Sequence, residues 1–163
     1  DNAEPDAFFC FNNLMGEIMN NFCKSLDRTE VGITARMKSL NELVKANDRE
    51  LWEALEERSL NPQFYSFRWI TLMLSQEFEL PDVLRLWDSL FGDTNRFEFL
   101  LYFCCAMILH VRDELLAGGF ADNLKLLQRY PPTDIGVLFH KAVAIQARMH
   151  AGTRGPSAPP PTV

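Results

Sequence analysis

The side chains best able to do chemistry in this sequence are its four cysteines, three histidines and eleven arginines. Cys104, Cys105 and His110 lie closest together and are the candidates for binding zinc. Tetrahedral zinc sites usually combine two C-x₂₋₄-C-type pairs, whereas adjacent cysteines on a helix point in different directions. We therefore expect no metal site. Since Cys10 and Cys23 also lie in apolar stretches, we expect all four cysteines to be reduced, buried thiols.

Nucleophile–base pairs and arginine side chains are the remaining chemical candidates. His110, His140 and His150 fall on predicted helices without the glycine-rich turn that presents a nucleophile. Arg28 and Arg96 lie in predicted connections between helices, but an exposed arginine without exact placement is an ordinary surface residue. We expect no catalytic residue and no small-molecule enzyme, because no polar constellation can be assembled.

Length, composition and charge limit the class of protein. The 163 residues correspond to about one domain, and 47% hydrophobic with 23% charged residues are typical of a globular core. Acidic residues outnumber basic ones, 22 against 16, which argues against nucleic-acid binding. Asp1 to Ala7 resembles neither a signal nor a transit peptide, and the apolar run Phe99 to Leu109 is far shorter than the roughly 20 residues that span a bilayer. We expect a cytoplasmic piece of a longer polypeptide, with no direct membrane insertion.

Hydrophobic spacing predicts an all-α fold, an irregular bundle of several helices. Apolar residues recur at steps of three and four, and no long stretch alternates with the period of two typical of a strand. The segment from Phe97 to Leu109 carries one charged residue and is predicted to begin a central core helix that ends at Gly118-Gly119. The helices are expected at 6–23, 33–44, 48–55, 62–78, 81–91, 97–117, 120–130 and from 135 onward.

Capping residues and inward-facing positions follow from the same pattern. Gly118-Gly119 is predicted to form a left-handed carboxy-terminal cap. The residues suited to start helices are Asp48, Asn61-Pro62, Pro81, and Thr133 or Asp134. The positions expected to face inward are Val83, Leu84, Trp87, Leu90 and Phe91 on the fifth helix, and Ile135, Leu138, Phe139, Ala142 and Val143 on the last.

The composition changes after His150. The segment 151–163, AGTRGPSAPPPTV, is rich in proline and contains no residues that could build a core. Pro156 and Pro159 have the P-x-x-P spacing of ligands for aromatic grooves, although this spacing is common by chance in such segments. We predict a folded domain at 1–150 and a solvated, disordered tail at 151–163.

The stretch FYSFRWITLMLSQEFELPDVLRLWD, residues 64–88, resembles the second half of TBC domains, which are Rab GTPase-activating modules. DAFFCFNNLM upstream and FEFLLYFCCAMILHVRDELL downstream resemble neighbouring segments of the same family, so the resemblance covers about residues 3–147. It implies an all-α, carboxy-terminal lobe of that domain. The residues that carry the family signature are Arg68, Trp69, Glu77, Pro81, Trp87 and Asp88.

The resemblance implies acceleration of GTP hydrolysis on a Rab-family GTPase in vesicle trafficking, with GTP and Mg²⁺ bound by that partner. TBC domains supply an arginine from I-x-x-D-x-x-R and a glutamine from Y-x-Q, and neither motif occurs here. The chain therefore resembles the supporting half of the domain, inactive alone, and its further partner would be the missing amino-terminal half. The alternative is a non-catalytic helical adaptor of the same fold.

The signature residues also have a plain structural interpretation. Trp69 and Trp87 are expected to fill the seam between two helices joined by the corner at Pro81. Arg68 and Asp88 flank this corner and either pair or are solvated. Glu77 is expected to be a surface or corner-capping carboxylate. A half-domain is also expected to leave an apolar patch exposed.

Overall fold

The computed structural model describes residues 2–22 and 32–153. Within these ranges the chain forms helices joined by turns and contains no strand, which confirms the all-α prediction. Short 3₁₀ turns at Met19–Asn21 and Pro62–Phe64 follow α1 and precede α4. The α-helices are α1 Ala3–Ile18, α2 Ile33–Asn47, α3 Arg49–Glu57, α4 Ser66–Thr71, α5 Leu80–Gly92, α6 Arg96–His110, α7 Arg112–Ala117, α8 Phe120–Gln128 and α9 Ile135–Thr153.

Helix α6 is the centre of the fold. Every residue from Phe99 to Ile108 is buried, and α6 packs against α2, α4, α5 and α9. A helix surrounded by neighbours has no solvent-facing side, which explains why this stretch lacks charged residues. The predicted core helix is therefore confirmed.

The end of this helix differs from the prediction. The chain breaks at Val111 into α6 and α7, and Gly118 has φ −82° and ψ 159°, so it is extended and forms no left-handed cap. The reason for glycine at position 118 is space: a Cβ there would lie 2.2 Å from Oδ1 of Asn123. Asn123 is buried and donates from Nδ2 to the Leu115 carbonyl at 2.8 Å.

Most predicted helix starts are present. Asp48 accepts a hydrogen bond from the Leu51 amide at 2.9 Å and caps α3. Asp134 accepts one from the Gly136 amide at 2.7 Å at the start of α9, and Pro81 lies in the first turn of α5. On α2 the predicted apolar face is buried, namely Ile33, Met37, Leu40 and Val44.

Three of the predicted inward positions are wrong. Leu84 and Phe91 on α5 and Val143 on α9 are exposed. Leu86 on α5 and Ile145 on α9 are buried in the core instead. Apolar residues cover more than one face of each helix, so periodicity alone does not select the face that meets α6.

The predicted fourth helix is also too long. α4 ends at Thr71, and Met73 and Leu74 then adopt φ values of 48° and 60°, in the left-handed region. A right-handed helix cannot continue through two such residues. The segment 72–79 is therefore a turn rather than the last half of a helix.

Several predictions concern thiols and chain ends. Cys104 and Cys105 are buried, but Cys10 is exposed on α1, so the prediction of four buried thiols is wrong for that residue.

Helix α9 continues to Thr153, past the predicted boundary at His150. The rest of the proline-rich segment, Cys23 and Arg28 lie outside the described residues. None of the helices in the described ranges is both long and apolar enough to cross a membrane.

Candidate functional site

Most of the family-signature residues lie at or beside the corner between α4 and α5. This corner contains the buried residues Met73 and Leu74, both left-handed although neither is glycine, an arrangement that costs about 1–2 kcal/mol per residue. Several hydrogen bonds hold it, and two of them tie it to the neighbouring helices. The Leu74 amide donates to the Trp69 carbonyl at 2.9 Å, and the Trp87 indole Nε1 donates to the Met73 carbonyl at 3.0 Å. The indole of Trp87 thus links α5 to the corner by a hydrogen bond.

Arg68 pairs with Glu77 across this corner. Nε of Arg68 lies 2.7 Å from Oε1 of Glu77, and Nη2 lies 2.8 Å from Oε2. The Glu77 side chain is 2% exposed. Of the two alternatives expected for it, a surface or a corner-capping carboxylate, the first is therefore wrong. Asp88 is exposed on α5, and the guanidinium of Arg68 pairs with Glu77 rather than with Asp88. The short turn brings position 77 back over α4, which helical spacing could not indicate.

The same arginine ties the corner to α8. Nη2 of Arg68 also donates to the Gln128 carbonyl at 2.8 Å, at the end of α8. The side chain of Gln128 also bonds to the turn before α4, because its Nε2 donates to the Phe64 carbonyl at 2.9 Å. Gln128 has no place in the sequence pattern of the signature, and only the fold brings it to this position.

Trp69 lies behind the ion pair in the core. It is fully buried and contacts the rings of Tyr65 and Tyr130 edge to face, with centroids 5.2 and 6.1 Å apart. The Tyr130 hydroxyl donates to the Met107 carbonyl of α6 at 3.0 Å. Burial raises the pKa of both tyrosines. Arg68, Trp69, Glu77 and Trp87 therefore make structural contacts around the corner. Pro81 lies in the first turn of α5 beside it.

Of the two arginines considered as catalytic groups, Arg96 lies within the described residues and makes structural contacts. Arg96 is the first residue of α6 rather than a loop residue; its Nε lies 3.5 Å from Oε2 of Glu17, and its guanidinium lies over the Phe91 ring. Arg112 binds Asp48 at 2.6 Å and also Glu50, joining α7 to α3. In the described part of the chain, no three His, Cys, Asp or Glu side chains are grouped for metal binding.

The surface feature most able to bind a partner is the outer side of α1. We call Phe8, Phe9, Phe11 and Met19 the α1 face; each is more than half exposed. On the side of this helix that carries Phe11, Ile18 is buried and Leu14 packs against the core.

An apolar groove of about 450 Å³ separates α1 from the corner. Its walls come from α1, from the turn after α4 and from α5. They include Phe11, Leu14, Met15, Leu72, Trp87 and Phe91. The sequence predicted an exposed apolar patch but not its place; the broad apolar stripe of α1 was the available signal.

Comparison with known proteins agrees with this architecture. The family model described as the Rab-GTPase-TBC domain matches residues 1–116. TBC1 domain family member 13 of Mus musculus is 54% identical over 146 residues, which are 90% of this chain and 36% of that protein. GTPase-activating protein gyp1 of Schizosaccharomyces pombe is 29% identical over 136 residues, covering 82% of this chain and 26% of the relative.

The fold is also similar to a solved structure. The crystal structure of the Ypt/Rab-GAP domain of Gyp1p matches with a TM-score of 0.80 and 27% identity, over 88% of this chain and 45% of that one. The chain thus spans less than half of each of these proteins. The match of the family model and the identity to the mouse protein together show that the chain belongs to the Rab-GTPase-TBC domain family.

Proposed function

We propose that this chain is the carboxy-terminal half of a TBC domain and supports acceleration of GTP hydrolysis on a Rab-family GTPase. The observation that carries the proposal is the match to the Ypt/Rab-GAP domain of Gyp1p, which extends over 88% of this chain but 45% of that domain. A shared fold over this part of the domain supports a shared role in the complete domain.

The chemistry needs groups that these 163 residues do not provide in the family's form. Phosphoryl transfer is accelerated by positive charge placed where negative charge grows between the β- and γ-phosphates, and by orientation of the attacking water. No tyrosine here is followed two positions later by glutamine, and no I-x-x-D-x-x-R occurs. We assign the arginine and glutamine to polypeptide outside this chain, and to the rigid corner a supporting role.

The rest of the proposal follows from this assignment of the catalytic groups to other polypeptide and of the supporting role to this chain. The GTPase binds GTP and Mg²⁺, and this chain binds no cofactor of its own. The setting is vesicle trafficking, with the protein in the cytoplasm and brought to membranes by its GTPase partner. The chain itself acts as an activator of another protein's active site rather than as an enzyme.

Single-turnover GTP hydrolysis on a panel of purified Rab proteins tests this function. The 163-residue chain alone should leave the rates unchanged. The complete gene product should accelerate at least one Rab, by roughly 10³–10⁵-fold if an arginine is supplied in trans. Acceleration by the chain alone, or none by the complete product, would overturn the proposal.

A second candidate is a non-catalytic adaptor of the same fold. The exposed α1 face favours it, because large apolar surfaces commonly bind other proteins. The same panel separates the two functions. An adaptor would bind a partner without changing any rate of GTP hydrolysis.

A further inference from the structure

We propose that the proline-rich segment 154–163 binds to its own chain, in a groove between α2, α6 and the end of α9, which we call the α9-end groove. This inference is independent of the proposed function, because it concerns a contact within the chain. It gives the P-x-x-P spacing of Pro156 and Pro159 a binding site, where composition alone predicted a solvated segment.

The α9-end groove has a volume of about 760 Å³ and is lined by three helices. Its apolar lining comes from one residue on each of α2, α6 and α9, namely Leu43, Leu101 and Met149. Most of its polar lining lies on α2 and consists of Arg36, Lys38, Ser39 and Glu42. Apolar side chains with a few polar groups among them are typical of a binding site.

Contacts at the end of α9 place its last turns beside this groove. Nδ2 of Asn47 on α2 lies 3.8 Å from Sδ of Met149. Nε2 of His150 lies 3.7 Å from Oε1 of Glu98 on α6. Since α9 continues to Thr153, the proline-rich segment starts about 6 Å of helix beyond His150. The segment therefore begins close to the groove.

The segment is also long enough to fill the groove. Ala35 and Leu43 are the first and last residues of α2 that line it, so this wall is about 12 Å long at about 1.5 Å per helical residue. In the polyproline conformation, residues 154–163 reach about 31 Å at about 3.1 Å per residue. The excess length allows the chain to turn at Gly155 and to lie along α2.

The hydrogen-bonding groups of the groove suit a proline-rich occupant. The polyproline conformation has no internal hydrogen bonds, so its carbonyl groups need donors from elsewhere. Arg36, Lys38 and Ser39 provide such donors along one wall. The consecutive prolines 159–161 have no N–H groups that binding could leave without a partner. Their rings can pack against the apolar lining on α2 and α6.

Charge sets the direction in which the segment lies. Arg154 is the one charged residue in the sequence of 154–163. Glu42 lines the groove, is exposed, and lies in the half of α2 that leads to Asn47 and its contact with α9. An ion pair between Arg154 and Glu42 holds the start of the segment there and directs the prolines towards Arg36.

Attachment to α9 favours this occupant over a separate protein. A ligand joined to its site by a short flexible linker has an effective concentration in the millimolar range. A proline-rich partner in solution would have to bind more tightly than the attached segment or be present above that concentration. We therefore assign the α9-end groove to the chain's own segment.

Site-specific photo-crosslinking in the complete gene product tests the contact, with p-benzoylphenylalanine in place of Ala158. Peptide mapping by mass spectrometry should find most intramolecular crosslinks on residues 35–43 of α2. Crosslinks absent from α2, or spread evenly over the protein, would overturn the inference. So would crosslinked dimers as the main product, because the groove would then receive the segment of a second copy.

Charge reversal tests the proposed direction. Arg154→Glu and Glu42→Arg should each lower the yield of α2 crosslinks at least 5-fold, and the double variant should regain at least half of it. Glu57→Arg is the matched control for Glu42→Arg, since Glu57 is also exposed on a helix but does not line the groove. Combined with Arg154→Glu, it should restore nothing. Equal restoration by both acidic-to-basic changes would refute a defined site, whether or not a Rab is activated.

Discussion

The guanidinium of Arg68 and the carboxylate of Glu77 form a bidentate ion pair whose two members differ in exposure, 40% against 2% of the side chain. The pair joins α4 to the turn that precedes α5, and the prediction from sequence placed both of its residues in a single helix at 62–78. Its asymmetry means that removing the two partners should have unequal effects on stability.

We expect Arg68→Met to lower the free energy of unfolding by about 3–5 kcal/mol, because it leaves the buried carboxylate of Glu77 unpaired. Glu77→Gln should cost less, since Arg68 can be hydrated. Arg49→Met is the matched control: Arg49 pairs with Glu53 on the exposed side of α3 and should change stability by less than about 1 kcal/mol. Urea denaturation followed by circular dichroism gives these values. A larger loss for Glu77→Gln than for Arg68→Met would contradict this account.

Trp87 should be important both for packing and for the corner hydrogen bond. Trp87→Ala is expected to cost about 3–5 kcal/mol, since it removes a large side chain packed against the core. Trp87→Phe should cost about 1–2 kcal/mol, because it keeps most of the ring but leaves the Met73 carbonyl without its donor. Thermal and urea unfolding check both values, and a loss below about 1 kcal/mol for Trp87→Ala would show that the side chain packs on the surface.

The two adjacent glycines after α7 should respond differently to alanine. Gly118→Ala places a Cβ 2.2 Å from Oδ1 of Asn123 and should destabilise the protein by about 1–3 kcal/mol. Gly119→Ala meets no atom within 4 Å, but Gly119 is the N-cap of α8, where alanine is less favourable than glycine, so the substitution should cost less than about 1 kcal/mol. Their melting temperatures provide the comparison; equal values would mean that Asn123 moves aside without cost.

The cysteines should differ in reactivity. Burial raises the pKa of Cys105 to about 12 and also raises that of Cys104, so neither forms the reactive thiolate at neutral pH. Cys10 is exposed and should be alkylated by iodoacetamide in the native isolated chain. Peptide mapping by mass spectrometry should find Cys104 and Cys105 modified only after unfolding. Native labelling of Cys104 as fast as that of Cys10 would rule out this burial.

Local patterns were sufficient for the parts of the fold governed by short-range rules. Residues within a few positions of one another specify the buried face of α2, the Asp48 cap and the uncharged stretch of α6 from Phe99 to Leu109. The family resemblance likewise rests on contiguous motifs. These features could be predicted because neighbouring residues on a helix share its geometry.

Long-range contacts account for what the sequence could not indicate. The turn at Met73 and Leu74 contains no glycine or asparagine, the residues that would predict a positive φ from sequence. One of the hydrogen bonds that stabilise it comes from Trp87, 14 residues away from Met73. Gln128 reaches the corner from 60 residues beyond Arg68. Propensity is a weak preference that tertiary contacts override.

By itself, the sequence determined that the chain is helical and that α6 is buried, because composition and periodicity are carried by neighbouring residues. Its contiguous motifs also carry the resemblance to TBC domains. Tertiary structure alone decided that Glu77 pairs with Arg68, that α4 stops at Thr71, and that the aromatic side of α1 is left uncovered. These outcomes depend on which distant helices meet, and the free energy of those contacts exceeds the local preference of the residues that they bring together.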